Sequence, residues 1–142
     1  MANKKQAFIP SASKPQPLQL ILRKQTRCPI FHIHLQDRHV DPLTRTEILE
    51  FLAIDQTEKL KWEEEDFDCD DLDAQLWVNA KAYFRKKGKN AAFGILKIIK
   101  HRLTLYVEEP ETGNKNNLTV FYVDPKEDYP KKPHAAARFI LI

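Results

Sequence analysis

Apolar residues recur three and four apart across residues 70–88, the clearest periodic stretch of the chain. Leu72, Leu76, Ala80 and Tyr83 share one stripe, with Trp77 and Phe84 beside it, which is the spacing of an amphipathic helix. Asp70 or Asp71 supplies an N-cap carboxylate. Arg85, Lys86 and Lys87 precede Gly88, a residue free to adopt the left-handed conformation that closes a helix. Acids at the start and bases at the end both favour the helix dipole, by about 0.3–1 kcal/mol each at exposed sites. A second helix is predicted after the Asp41-Pro42 turn. Thr44 or Thr46 starts it, Glu47 sits where a capping-box partner of Thr44 belongs, and Ile48, Leu49, Leu52 and Ala53 form the apolar face. A further short helix carries Leu60 and Trp62.

Alternation and β-branched runs predict the strands. Residues 18–22 and 30–35 read as two strands joined by a loop that Pro29 closes. In the second, Phe31, Ile33 and Leu35 face one way and Ile30, His32 and His34 the other. Residues 91–100 fit a strand or a basic amphipathic helix, and the branched Ile95, Ile98 and Ile99 tilt the reading to a strand. Leu103, Leu105 and Val107 alternate with Arg102, Thr104, Tyr106 and Glu108. A polar loop at 109–117 then leads to a strand at 118–123, completing a long-loop hairpin. Residues 124–133 form a Pro-rich charged loop, and 139–142 a terminal strand. The sum is an α+β fold, an antiparallel sheet packed against two or three helices. It occupies a single domain, residues 18–142, after a flexible tail, residues 1–17, which has three prolines and no apolar period.

A chain of 142 residues with 42% hydrophobic and 30% charged content suits one domain with a proper core. Its net charge of +3 is unevenly spread: residues 1–73 carry 10 Lys/Arg against 14 Asp/Glu (−4), and residues 74–142 carry 13 against 6 (+7). No apolar run approaches the roughly 18 residues of a membrane span. The apolar stretch of a secretory signal does not follow Lys4 and Lys5. The two cysteines, Cys28 and Cys69, are far apart and without metal-ligand spacing. The expectation is therefore a soluble cytoplasmic protein with no membrane association.

The basic half suggests a phosphate-contacting surface for DNA or RNA over residues 85–102. Its members are Arg85, Lys86, Lys87, Lys89, Lys97, Lys100 and Arg102, with His101 among them. Tyr106 or Tyr122 would stack on single-stranded bases, and a winged-helix variant would use the loop around Gly113, against the acids Glu108, Glu109 and Glu111. The same basic residues also finish a helix for dipole and solubility reasons. An alternative is a protein-interaction module or assembly factor. Its acidic stretch, residues 63–73 with eight acids in eleven positions, would complement the basic surface.

A third reading is a small hydrolase centred on His32 and His34, two imidazoles aimed the same way from alternate strand positions, with His39 and Asp41 close behind. A half-exposed sheet face accounts for the same pair. Asp66, Asp68 and Asp70 imitate the opening of a calcium loop. Asp71 stands where that loop needs Gly, however, and Trp77 where it needs Glu. Three glycines, Gly88, Gly94 and Gly113, exclude a Gly-rich phosphate loop; no G-x-S-x-G motif is present, and Cys28 has no catalytic signature around it. No catalytic residue, metal or cofactor is assigned on sequence. The leading expectation is a non-enzymatic nucleic-acid binder.

Overall fold

In a computed structural model the described residues are 17–37, 39–57, 69–113, 116–127 and 129–142. The expected tail, residues 1–17, lies outside them except for Pro17, and so do Leu60, Trp62 and residues 63–68 of the acidic stretch. Helix α1 runs Pro17–Thr26, and a single 3-10 turn at Ile30–His32 leads into β1, Ile33–His34. Helix α2 spans Arg45–Ile54 and α3 Cys69–Lys86. The strands β2 (Phe93–Ile98), β3 (His101–Glu108), β4 (Thr119–Val123), β5 (Pro130–Lys131) and β6 (Phe139–Leu141) follow.

Residues 18–22 are helical, which corrects the strand expected there. Leu18, Ile21 and Leu22 alternate loosely but also lie three and four apart, and packing decides between the two periods. Leu22 is fully buried, with Leu18 and Ile21 against the same core. Proline suits a first helical position because its missing N–H would be unpaired there anyway. The Gln25 side chain secures α1 to the hairpin: Nε2 donates to the Leu118 carbonyl at 2.9 Å, and Oε1 accepts from the Val120 N–H at 2.6 Å. At 30–35, too, the long strand shrinks to two residues.

The six strands form one sheet in the order β1-β6-β2-β3-β4-β5. β1 runs parallel to β6, while every other pairing is antiparallel. The sheet is therefore mixed, and the expected antiparallel sheet is corrected. The terminal strand enters between β1 and β2, so residues distant in sequence meet at its centre.

Helix α1 covers one face of the sheet, over Leu96, Leu103, Leu105, Tyr122 and Ile140. Helices α2 and α3 cover the other, where Ile48, Phe51, Leu76, Ala80 and Phe84 pack on Phe93, Tyr106 and Val123. Burial on both faces explains why Thr104 and Tyr106 are as buried as Leu103 and Leu105, which alternate with them. The stripe of α3 that reaches the core is Leu72, Leu76, Ala80 and Phe84, with Tyr83 and Trp77 at its flank. Gly88 closes the helix with φ 78°. In α2 the buried side is Ile48, Phe51 and Leu52, whereas Leu49 and Ala53 are exposed. Gly94 fits where β6 runs closest to β2, since a Cβ there would meet the Leu141 carbonyl oxygen at 2.2 Å.

Candidate functional site

The residues predicted to form one basic surface divide between two clefts, with Lys97, Lys100 and Arg102 at one and Arg85 and Lys89 at the other. Arg85, Lys86 and Lys87 end α3, whereas Arg102 pairs with Asp73 in its first turns, Nε to Oδ2 at 2.9 Å. Twelve residues of helix separate positions 73 and 85, about 18 Å at the α-helical rise. Several members also face acids: Lys89 Nζ lies 2.6 Å from Glu47 Oε1, and Lys87 Nζ lies 3.9 Å from Glu50 Oε2 and over the Tyr83 ring. Tyr106 and Tyr122 cannot stack on bases because both are buried. Tyr106 donates to Glu108, and Tyr122 donates to the Ala135 carbonyl at 3.0 Å. Burial raises the pKa of both phenols, and the Glu108 contact adds to the rise at Tyr106.

The histidine pair separates as well. His32 sits in the 3-10 turn with Nδ1 3.0 Å from the Arg138 carbonyl oxygen. The His34 ring lies against Phe139, centroids 5.2 Å apart. Among the described residues no three His, Cys, Asp or Glu side chains gather as a metal would require.

A different set of residues converges at the hairpin end of β2 and β3. The two strands pair up to Ile98 and His101, leaving Ile99 and Lys100 as the turn, and Lys100 takes a left-handed φ of 62°. A non-glycine residue in that region carries backbone strain, which concentrates at functional sites. His101, next in the chain, lies with Nε2 3.4 Å from Asp124 Oδ2. The β3–β4 register pairs Thr104 with Val123. His101 and Asp124 are therefore diagonal neighbours at the end of the ladder. Asp124 is itself held, since its Oδ1 accepts from the Lys126 N–H at 2.9 Å in a turn that leaves Oδ2 for the imidazole.

A cleft of about 400 Å³ opens here, lined by Ile95, Lys97, Lys100, His101, Arg102 and Phe139. Its Arg102 wall leads directly to α3. The Asp73 side chain is fully buried, with Oδ2 2.9 Å from Arg102 Nε. Asp73 stands one turn inside a helix that opens at Cys69. The pairing therefore ties the first turns of α3 to β3 at Arg102. The other cysteine is unsuited to chemistry: Cys28 is buried, and burial pushes its thiol pKa up to about 11.

A second, wider cleft of about 780 Å³ lies along α3, bordered by Trp77, Lys81, Arg85, Asp37 and Asn90. Lys81 Nζ donates to the Asn90 side-chain oxygen at 3.1 Å and to the Ala91 carbonyl at 2.6 Å. Burial lowers its pKa, against the opposing pull of Asp37 and Asp41.

The chain matches no protein-family profile and no curated protein sequence. Among solved structures it is similar to PSL1a in complex with E64, with a TM-score of 0.64 and 23% identity over 77% of this chain and 42% of that one. It is also similar to Polyporus squamosus lectin bound to the human-type influenza-binding epitope Neu5Acα2-6Galβ1-4GlcNAc, with a TM-score of 0.66 and 22% identity over 88% of this chain and 46% of the lectin. The chain shares a fold with part of a lectin. It spans less than half the length of either neighbour.

These neighbours, seen with a glycan and with E64, overturn the nucleic-acid expectation and give no support to a protein-docking module. The scattered and paired basic residues supply the physical reason. Among the described residues no helix is long and apolar enough to cross a membrane. Sequence reasoning counted His101 as one more basic residue and did not join it to Asp124, because that contact depends on the β3–β4 register.

Proposed function

We propose that this chain is a thiol-dependent hydrolase of acyl bonds. Cys69 is the nucleophile, His101 the general base and acid, and Asp124 the group that orients the imidazole. The observation that carries this reading is the His101–Asp124 contact at 3.4 Å on a cleft whose Arg102 wall is tied through Asp73 to the helix that begins at Cys69. A helix N-terminus favours negative charge and so favours a thiolate. The acids of that first turn oppose this effect, and Arg102 offsets one of them, Asp73.

In the reaction His101 takes the thiol proton and the thiolate attacks the substrate carbonyl carbon. The tetrahedral adduct collapses to a thioester, and the leaving amine or alcohol takes the proton from the imidazolium. Water then gives a proton to the neutral imidazole and attacks the thioester, releasing the carboxylic acid and restoring the thiol. One solved neighbour is a complex with E64, which makes that compound the probe for this reading.

The test is mass spectrometry of the intact protein after incubation with E64. One covalent adduct is expected, mapping to Cys69, absent from Cys69→Ala and formed at least about tenfold more slowly in His101→Ala, since a positioned base contributes 10²–10⁴-fold. An adduct that persists in Cys69→Ala, or no adduct at all, overturns the proposal.

A second reading, glycan binding, is favoured by the sialylated trisaccharide held by the lectin neighbour. The wider cleft offers the Trp77 ring for a sugar face and Arg85 for a carboxylate. Titration with Neu5Acα2-6Galβ1-4GlcNAc should then quench tryptophan emission, and Trp77→Ala should abolish the quench. An unchanged spectrum up to millimolar glycan dismisses this reading.

A further inference from the structure

The cleft beside His101 combines an apolar floor with a cationic rim. Phe139 stands at its base, 38% exposed and flanked by the His34 ring, and Ile95 packs next to it. Lys97 pairs with Phe139 across β2 and β6, while Lys100 occupies the strained turn. Both lysines are exposed, and among the described residues no carboxylate lines the cleft. An exposed aromatic ring in a concave site gains by covering a second apolar group. Two ammonium groups beside it favour a carboxylate on the next residue and disfavour an amine.

Resting on the thiol-hydrolase reading, which calls for an acyl substrate, we infer that this cleft recognises a peptide segment in which an apolar side chain is followed by an acidic one. The apolar residue covers Phe139 and Ile95, and the acid lies between Lys97 and Lys100. Apolar contact supplies most of the affinity. The two lysines supply discrimination, about fivefold each at low ionic strength, as expected for exposed ion pairs, and falling with added salt.

The inference can be tested in Cys69→Ala, where binding is measured without turnover. Acetyl-Phe-Asp-amide and acetyl-Phe-Lys-amide are titrated into isotope-labelled protein, and amide shifts are followed. The acidic peptide should shift residues of β2, β3 and Phe139, and bind at least about tenfold more tightly than the basic one. That ratio should fall to near one in Lys97→Gln/Lys100→Gln, while Phe139→Leu should weaken both peptides together. Equal affinities in the Cys69→Ala parent, or shifts clustered elsewhere, overturn the inference. The two proposals fail separately. Acid-selective binding in a protein that never forms the E64 adduct keeps the cleft and removes the thiol centre. An adduct at Cys69 without charge preference does the reverse.

Discussion

Glu47 illustrates how much one side chain can do when its neighbours agree on it. Its backbone N–H donates to the Thr44 hydroxyl at 3.2 Å, its carboxylate accepts from the Thr44 N–H at 2.8 Å, and Lys89 pairs with the other carboxylate oxygen. Burial pushes the Glu47 pKa up, but the Lys89 and Thr44 contacts outweigh it and hold the group below its ordinary range. A carboxylate whose folded pKa is depressed stabilises the protein above its unfolded pKa, and that stability is lost as pH falls through the folded value. Glu47→Gln keeps an acceptor for the capping box and removes the charge. At pH 7 it should lower the unfolding free energy by about 1 kcal/mol, as expected for a partly screened pair. The gap between variant and parent should narrow below about pH 4.3, the ordinary glutamate value. Urea titrations at pH 7 and pH 3 measure both quantities, and a gap that persists at pH 3 contradicts the assignment. This cap was legible because all its members but Lys89 lie within four residues. The His101–Asp124 contact spans 23 positions and depends on the β3–β4 register, so no local pattern announces it.

At the scale of elements the sequence was most legible where a single period was long enough to leave no choice. Helix α3 carries five turns of consistent spacing and ends at a glycine with positive φ. The β3 alternation likewise survives as a strand. Residues 18–22 satisfied both periods and were resolved as α1 only by what they pack against, chiefly Leu22 in the core and the Gln25 clasp on β4. The parallel β1–β6 pairing was illegible for a related reason. It joins Ile33 to Ile140 and His34 to Leu141, segments too short to show a period and more than one hundred residues apart. The long strand read at 30–35 fails because only these two residues find a partner edge. His32 and His34 lose their common face with it.

Across the whole molecule, the division of charge that suggested a nucleic-acid face instead joins the two halves of the chain. Acidic residues of the first half meet basic residues of the second at Glu47–Lys89, Glu50–Lys87 and Asp73–Arg102. The last pair differs from the others because the Asp73 side chain is fully buried while Arg102 remains partly exposed. Removing one member of a buried pair costs about 3–5 kcal/mol, and the exposure of Arg102 puts the expectation at the lower end. Arg102→Ala should therefore destabilise the protein by about 3 kcal/mol. Arg102→Gln combined with Asp73→Asn, which removes both charges together, should recover part of that loss. If the pair also anchors the start of α3 against β3, Arg102→Ala should slow alkylation of Cys69 by E64 under conditions where the protein is fully folded. The double variant should then restore the rate along with the stability. A variant that is destabilised yet alkylated at the parent rate would show that the pair holds the fold without positioning the nucleophile. The anchor for Cys69 would then lie elsewhere on α3.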